Sequence, residues 1–92
     1  MTKPTIHLNG DSANTLTEGY EDAYRAVNVA LEAIQNASPN GRNYYPQGDT
    51  ATAEAINEHV ARVRALTTVA NELLELAIHC ADARDARKAR AA

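Results

Sequence analysis

Apolar positions recur every three or four residues along two long stretches of this chain, and a dense run of turn-forming residues separates the stretches. In the first, Leu16, Tyr20, Ala23, Val27, Ala30 or Leu31, and Ile34 fall on one face, with Glu18, Glu21, Asp22, Arg25 and Glu32 mostly on the other. That spacing predicts an amphipathic helix over residues 12–37. Ser12 and Asn14 are available as caps, and Thr15 with Glu18 has the T-x-x-E spacing of a capping box. The helix should stop before Ser38-Pro39, because a proline pushes the preceding residue out of helical geometry.

The second stretch places Ile56, Val60, Val63, Leu66, Ala70, Leu73, Ala77 and Cys80 at helical spacing after Asp49, a good N-cap, so a second helix is predicted over residues 50–86. Val69, Leu74 and Leu76 widen its apolar face beyond what one partner helix covers, and a second interface is expected. By the standard rise per residue the second helix would run roughly 50 Å against about 33 Å for the first. The overhang needs another chain or it frays. Ahead of both helices, Thr5-Ile6-His7-Leu8-Asn9-Gly10 alternates polar and apolar residues and ends on a turn pair, which reads as an extended arm or strand within residues 1–11. The expected fold class is all-α: one helical-hairpin domain with an N-terminal arm, a loop over residues 38–49, a frayed tail over residues 87–92, and assembly into an oligomeric bundle.

Composition supports the thin packing this implies. Of the 92 residues 45% are hydrophobic, yet there is no Trp and no Phe, so the apolar count comes largely from Ala, Leu, Val and Ile. A chain this short leaves much apolar surface uncovered unless it associates. The lone Cys80 cannot form an internal disulfide and the first twenty residues hold no apolar run like a signal peptide, so a reducing cytoplasm is the expected setting. No apolar stretch approaches the roughly 20 residues needed to span a bilayer, and no membrane partner is expected. The net charge of −3 is uneven: residues 1–81 carry ten acids and five bases, residues 82–92 two acids and four bases. An acidic body repels a nucleic-acid backbone, which argues against duplex binding.

No cofactor, metal site or catalytic constellation is expected. Ser12 and Ser38 occupy cap and turn positions without a neighbouring His to act as base. Glu75, His79 and Cys80 sit within about a turn, but a carboxylate-bridged two-metal bundle would want Glu-x-x-His pairs on two helices. Here the spacing is Glu-x-x-x-His, and it occurs once.

The candidate ligand-binding residues are Arg42, Asn43, Tyr44, Tyr45, His59 and Arg62. The loop Pro39-Asn40-Gly41-Arg42-Asn43-Tyr44-Tyr45-Pro46-Gln47-Gly48 is longer than a helical hairpin requires. Arg42 offers a planar fork for phosphate or carboxylate, Tyr44 and Tyr45 offer ring faces, and Asn40 and Asn43 offer amides. The competing reading has one tyrosine plugging the open end of the hairpin and Arg42 merely solvated. His59 and Arg62 lie near the start of the second helix and either join the loop or form a polar seam edge. Arg62 and Arg64 point to different sides, so at most one shares that site.

The opening TIHLNG, the PNGRNYYPQG loop and the following Glu58-His59-x-x-Arg62 together resemble a family of small accessory proteins of tailed phages and prophages, over most of residues 5–80. That family has Asp where this chain carries Asn43, so no acidic role transfers to that position. The resemblance implies a non-enzymatic accessory protein acting in the host cytoplasm. One expected function is an oligomeric anti-defence sponge that sequesters a nucleotide-derived host immune signal. Another is a protein-binding inhibitor or adaptor of a host defence complex, in the manner of an anti-CRISPR, and a third is a phage assembly factor.

Overall fold

The computed structural model describes residues 1–91 and is all-helical: α1 spans Ala13–Asn36, α2 spans Ala51–Ala91, and two short 3-10 turns, Gly41–Asn43 and Tyr45–Gln47, lie between them. The helices pack antiparallel into a rod 67 × 21 × 19 Å. Two bonds tie the chain across the rod toward its ends. At one, Arg84 Nη1 donates to Asn14 Oδ1 (3.3 Å); at the other, Ser38 meets His59 (3.1 Å).

The start of α1 is set by Ser12, whose Oγ accepts from the Thr15 backbone N–H at 3.1 Å and donates to Thr15 Oγ1 at 2.9 Å. Thr15 is therefore the N3 residue receiving the cap, and the Thr15–Glu18 capping box does not form. The end of α1 tightens as Ala37 N–H bonds the Ile34 carbonyl at 3.0 Å, just before Ser38-Pro39. At α2 the Thr50 carbonyl takes the first helical bond, from Glu54 N–H at 3.0 Å, which moves the cap position from Asp49 to Thr50.

The core is a thin seam of small residues. Among the described residues only Ala13, Thr17, Ala55, Ala70, Ala77 and Cys80 are buried; larger side chains such as Tyr20, Tyr24, Val27 and Leu31 are half-buried, because two helices cannot enclose them. On α1 the contact line is Ala13, Thr17, Tyr20, Tyr24, Val27, Leu31 and Ile34, in alternating steps of four and three. Thr17 sits in it at little cost because its hydroxyl donates to the Ala13 carbonyl at 2.7 Å. Ala30, one of the two alternatives for the stripe, is exposed, and Leu31 fills the position.

On α2 the line facing α1 is Val63, Leu66, Ala70, Leu73, Ala77 and Cys80, with Ala55 buried near its start. Ile56 and Val60, expected on this line, are exposed. The widening residues do not form one stripe: Val69 and Leu74 are five residues apart, roughly 140° around the helix, and lie on opposite flanks.

Of the two readings of the N-terminal segment, it takes the extended arm and not the strand: it lies along α2, with His79 Nε2–H donating to the Pro4 carbonyl at 2.7 Å and Lys3 Nζ 3.5 Å from Glu75 Oε1, before a turn closed by Gly10 N–H on the His7 carbonyl at 3.2 Å. Residues 87–91 of the expected tail are helical and continue α2. Ala, Arg and Lys are strong helix formers, and cations in the last turn oppose the helix dipole. Residue 92 of the expected tail lies outside the described residues. Thus the chain's own arm, rather than only a neighbour, covers part of the overhang. No described helix is long and apolar enough to cross a membrane.

Candidate functional site

The loop between the helices is an ordered structure built from its own backbone. Asn40 is extended (φ −112°, ψ 130°), and its Oδ1 accepts from Arg42 N–H at 3.0 Å while Arg42 Nε–H reaches the same oxygen at 3.4 Å. Asn43 N–H bonds the Asn40 carbonyl (2.9 Å) and Tyr44 N–H the Gly41 carbonyl (3.1 Å), closing the first turn. Gln47 N–H to Tyr44 O (2.9 Å) and Gly48 N–H to Tyr45 O (3.3 Å) close the second. The chain then leaves through Gly48 at φ 116°, a backbone conformation that only glycine adopts without strain. A Cβ on Gly41 would stand 3.6 Å from Thr52 Cγ2, so the first turn rests directly on the opening turn of α2.

This construction separates the two tyrosines. Tyr44 is half-buried, whereas Tyr45 is 75% exposed. Arg42 and Asn43 are exposed, and among the described residues the ion pairs involve Lys3, Arg25 and Arg84 but neither Arg42 nor Arg62. His59, half-buried on α2, meets Ser38 at the loop's start. Ser38 spends its single proton on the Gln35 carbonyl (2.7 Å), so its Oγ accepts from His59 Nε2–H at 3.1 Å. Arg62 is exposed one turn further along α2. The fold therefore gathers Arg42, Asn43, Tyr44 and Tyr45 in one short segment and ties His59 to its beginning. No hydrogen bond or ion pair among the described residues joins Arg62 to the loop.

Shallow concavities lie elsewhere among the described residues. One of about 570 Å³ follows the outer face of α2, lined by Asn57, Val60, Ala61, Arg64, Ala65 and Thr68. A second, about 290 Å³, lies between the arm and the end of α2, where Lys3, Pro4 and His79 meet Arg87 and Arg90. A third, about 330 Å³, brings Ser12, Ala13 and Asn14 at the start of α1 against Arg84, Arg87 and Lys88. This basic end was missed as a candidate site. Its signal was the surplus of cations after residue 81, together with the i, i+3, i+4 spacing of Arg84, Arg87 and Lys88.

No family model, curated protein or solved structure matches this chain. Its chemistry therefore rests on the residues themselves. The Glu75, His79 and Cys80 trio is committed to the fold: Glu75 holds Lys3, His79 holds the Pro4 carbonyl, and Cys80 is fully buried. Burial pushes the Cys80 thiol up from its ordinary range, which keeps it protonated and unreactive near neutrality. Among the described residues no group of three or more His, Cys, Asp or Glu side chains is placed to hold a metal ion. The loop presents a guanidinium, an exposed phenol ring and an amide on a backbone closed by its own turns, and the basic end presents Arg87 and Lys88 outside the ion pairs of the described residues.

Proposed function

We propose that this chain is a non-catalytic, oligomeric binding protein that captures a small nucleotide-derived signal through its 39–48 loop, as a phage-encoded sponge against host defence would. The observation that carries this reading is the loop's economy. Its turns are held by backbone bonds and by Asn40, while Tyr45 and, apart from one long contact of its Nε–H to Asn40 at 3.4 Å, Arg42 extend into solvent. A guanidinium fork binds phosphate through paired charge-assisted hydrogen bonds, and a free aromatic face stacks on a base. Pre-formed turns lower the ordering entropy of capture. His59 Nε2–H already occupies Ser38, so its contribution is to fix the loop's root, and a ligand contact from it would require that bond to break.

The competing reading, a protein-binding inhibitor that presents acidic helix faces to a host complex, is weaker on electrostatic grounds. Of the three α1 acids that would carry it, Glu21 and Asp22 are both engaged by Arg25, at 3.5 and 2.7 Å. Isothermal titration against a panel of cyclic oligonucleotides and ADP-ribose derivatives tests the proposal. At least one should bind with a stoichiometric end point, and Arg42→Ala should remove binding without changing helical content. Binding of none of the panel, or full binding by Arg42→Ala, would overturn it.

A further inference from the structure

Asparagine followed by glycine occurs twice in this chain, at Asn9-Gly10 in the arm and at Asn40-Gly41 in the loop. Such a pair carries its own modification chemistry. The glycine backbone nitrogen attacks the asparagine Cγ, and glycine offers no Cβ to hinder the approach. Two conditions govern the attack: the backbone must rotate about the asparagine Cα–C bond to bring that nitrogen beneath the side chain, and a base must take its proton. The fold treats the two pairs differently on both counts.

At Asn40 the rotation is blocked. The backbone is held extended (φ −112°, ψ 130°), which turns the Gly41 nitrogen away from Cγ. Its Oδ1 is tied to Arg42 N–H at 3.0 Å and to Arg42 Nε–H at 3.4 Å, and its carbonyl is held by Asn43 N–H at 2.9 Å. At Asn9 the side chain is exposed, and no hydrogen bond among the described residues restrains it. Its turn rests on the bond from Gly10 N–H to the His7 carbonyl, which at 3.2 Å is at the long end of the N–H···O range. The His7 ring is folded over the same glycine: a Cβ built on Gly10 would stand 2.9 Å from His7 Nε2, with Cδ2 and Cε1 at 3.3 and 3.4 Å. His7 is itself exposed and takes part in no side-chain hydrogen bond or ion pair among the described residues. Imidazole is the side chain most often used as a general base.

We propose that Asn9-Gly10 is a self-modification site at which His7 acts as the base. When the long turn bond opens, His7 takes the Gly10 amide proton as that nitrogen bonds to Asn9 Cγ. The Cγ–Nδ2 bond then breaks, and the side-chain nitrogen leaves as ammonia with the proton returned from the imidazolium. Water opens the resulting cyclic imide at either carbonyl. Cleavage on the Cγ side leaves aspartate; cleavage on the main-chain side leaves isoaspartate, with an extra carbon in the backbone. Either product adds one negative charge to the chain's net −3, in the turn that joins the arm to the Ser12 cap. The site is independent of what the loop binds.

Timed incubation of the full chain at neutral pH, followed by peptide mapping with mass spectrometry, tests the proposal. In the folded protein Asn9 should convert several-fold faster than Asn40, with isoaspartate among the products. In urea, where Asn40 is released, the two rates should converge. His7→Gln, with helical content unchanged, should slow Asn9 several-fold in the folded chain, leave Asn40 as it was, and regain part of the rate with added imidazole; in urea its effect should vanish. Conversion of Asn40 as fast as Asn9 in the folded chain, an unchanged Asn9 rate in His7→Gln, or a His7 effect that persists undiminished in urea would overturn it.

Discussion

The two ends of the rod handle their polar groups in opposite ways. At the arm end, polar groups satisfy one another across the chain: His79 holds the Pro4 carbonyl, Lys3 pairs with Glu75, and Arg84 bridges Asn14 and Asp85. At the loop end, backbone bonds close two successive turns, and Arg42 and Tyr45 are left outside that network apart from the Arg42–Asn40 contact. A side chain that stability does not require is the better candidate for binding, because its replacement should alter recognition without altering the fold.

The largest effect that would sharpen this contrast is on ligand capture. Arg42→Ala should weaken nucleotide binding by more than about tenfold, the scale of a lost charge-assisted hydrogen bond, while Lys3→Ala at the other end leaves it unchanged; titration calorimetry on both variants decides. Next comes the backbone of the loop. Gly48→Ala forces a side chain into a positive-φ conformation and should destabilise the chain by roughly 1–2 kcal/mol in urea melts. Ser12→Ala, which removes the α1 cap, should cost about 1 kcal/mol. Tyr45→Ala should change stability by no more than about 0.5 kcal/mol, as for other exposed positions, whereas a clear loss of stability would mean that Tyr45 packs and would blur the distinction between the ends.

The smallest effect concerns pH. Burial raises the Cys80 thiol above its ordinary value of 9.0, so the folded state retains a proton that the unfolded state releases. Stability from this group is therefore fully present below 9.0 and falls as pH rises past it. Denaturant midpoints across that range should drop in wild type and stay flat in Cys80→Ala relative to it.

Much of the architecture was legible in the residue pattern, since the helices begin and end within one residue of expectation except at the far end of α2. The misses have local causes. Tyr24 and Thr17 belong to the α1 contact line, but Thr17 looks polar until its hydroxyl is seen to be satisfied by the Ala13 carbonyl. Leu16 and Ala23 are half-buried as expected, and Ala13 and Tyr24 widen the same face. The arm's position was illegible because its main anchor joins Pro4 to His79, seventy-five residues apart, and a single imidazole–carbonyl bond leaves no periodic trace. For the loop, Asn, Gly and Pro announced turns, but the division of labour between Tyr44 and Tyr45 depends on which ring faces the helices, and two adjacent tyrosines look alike in sequence.

The most direct test of the central claim is a capture-and-release measurement with the intact protein. Wild type should deplete one member of the cyclic-oligonucleotide and ADP-ribose panel from solution and return it chemically unchanged on heat denaturation, while Arg42→Ala, folded and of the same oligomeric size, should deplete none. Recovery of a converted product, or equal depletion by Arg42→Ala, would contradict the account of this loop as a non-catalytic binding site.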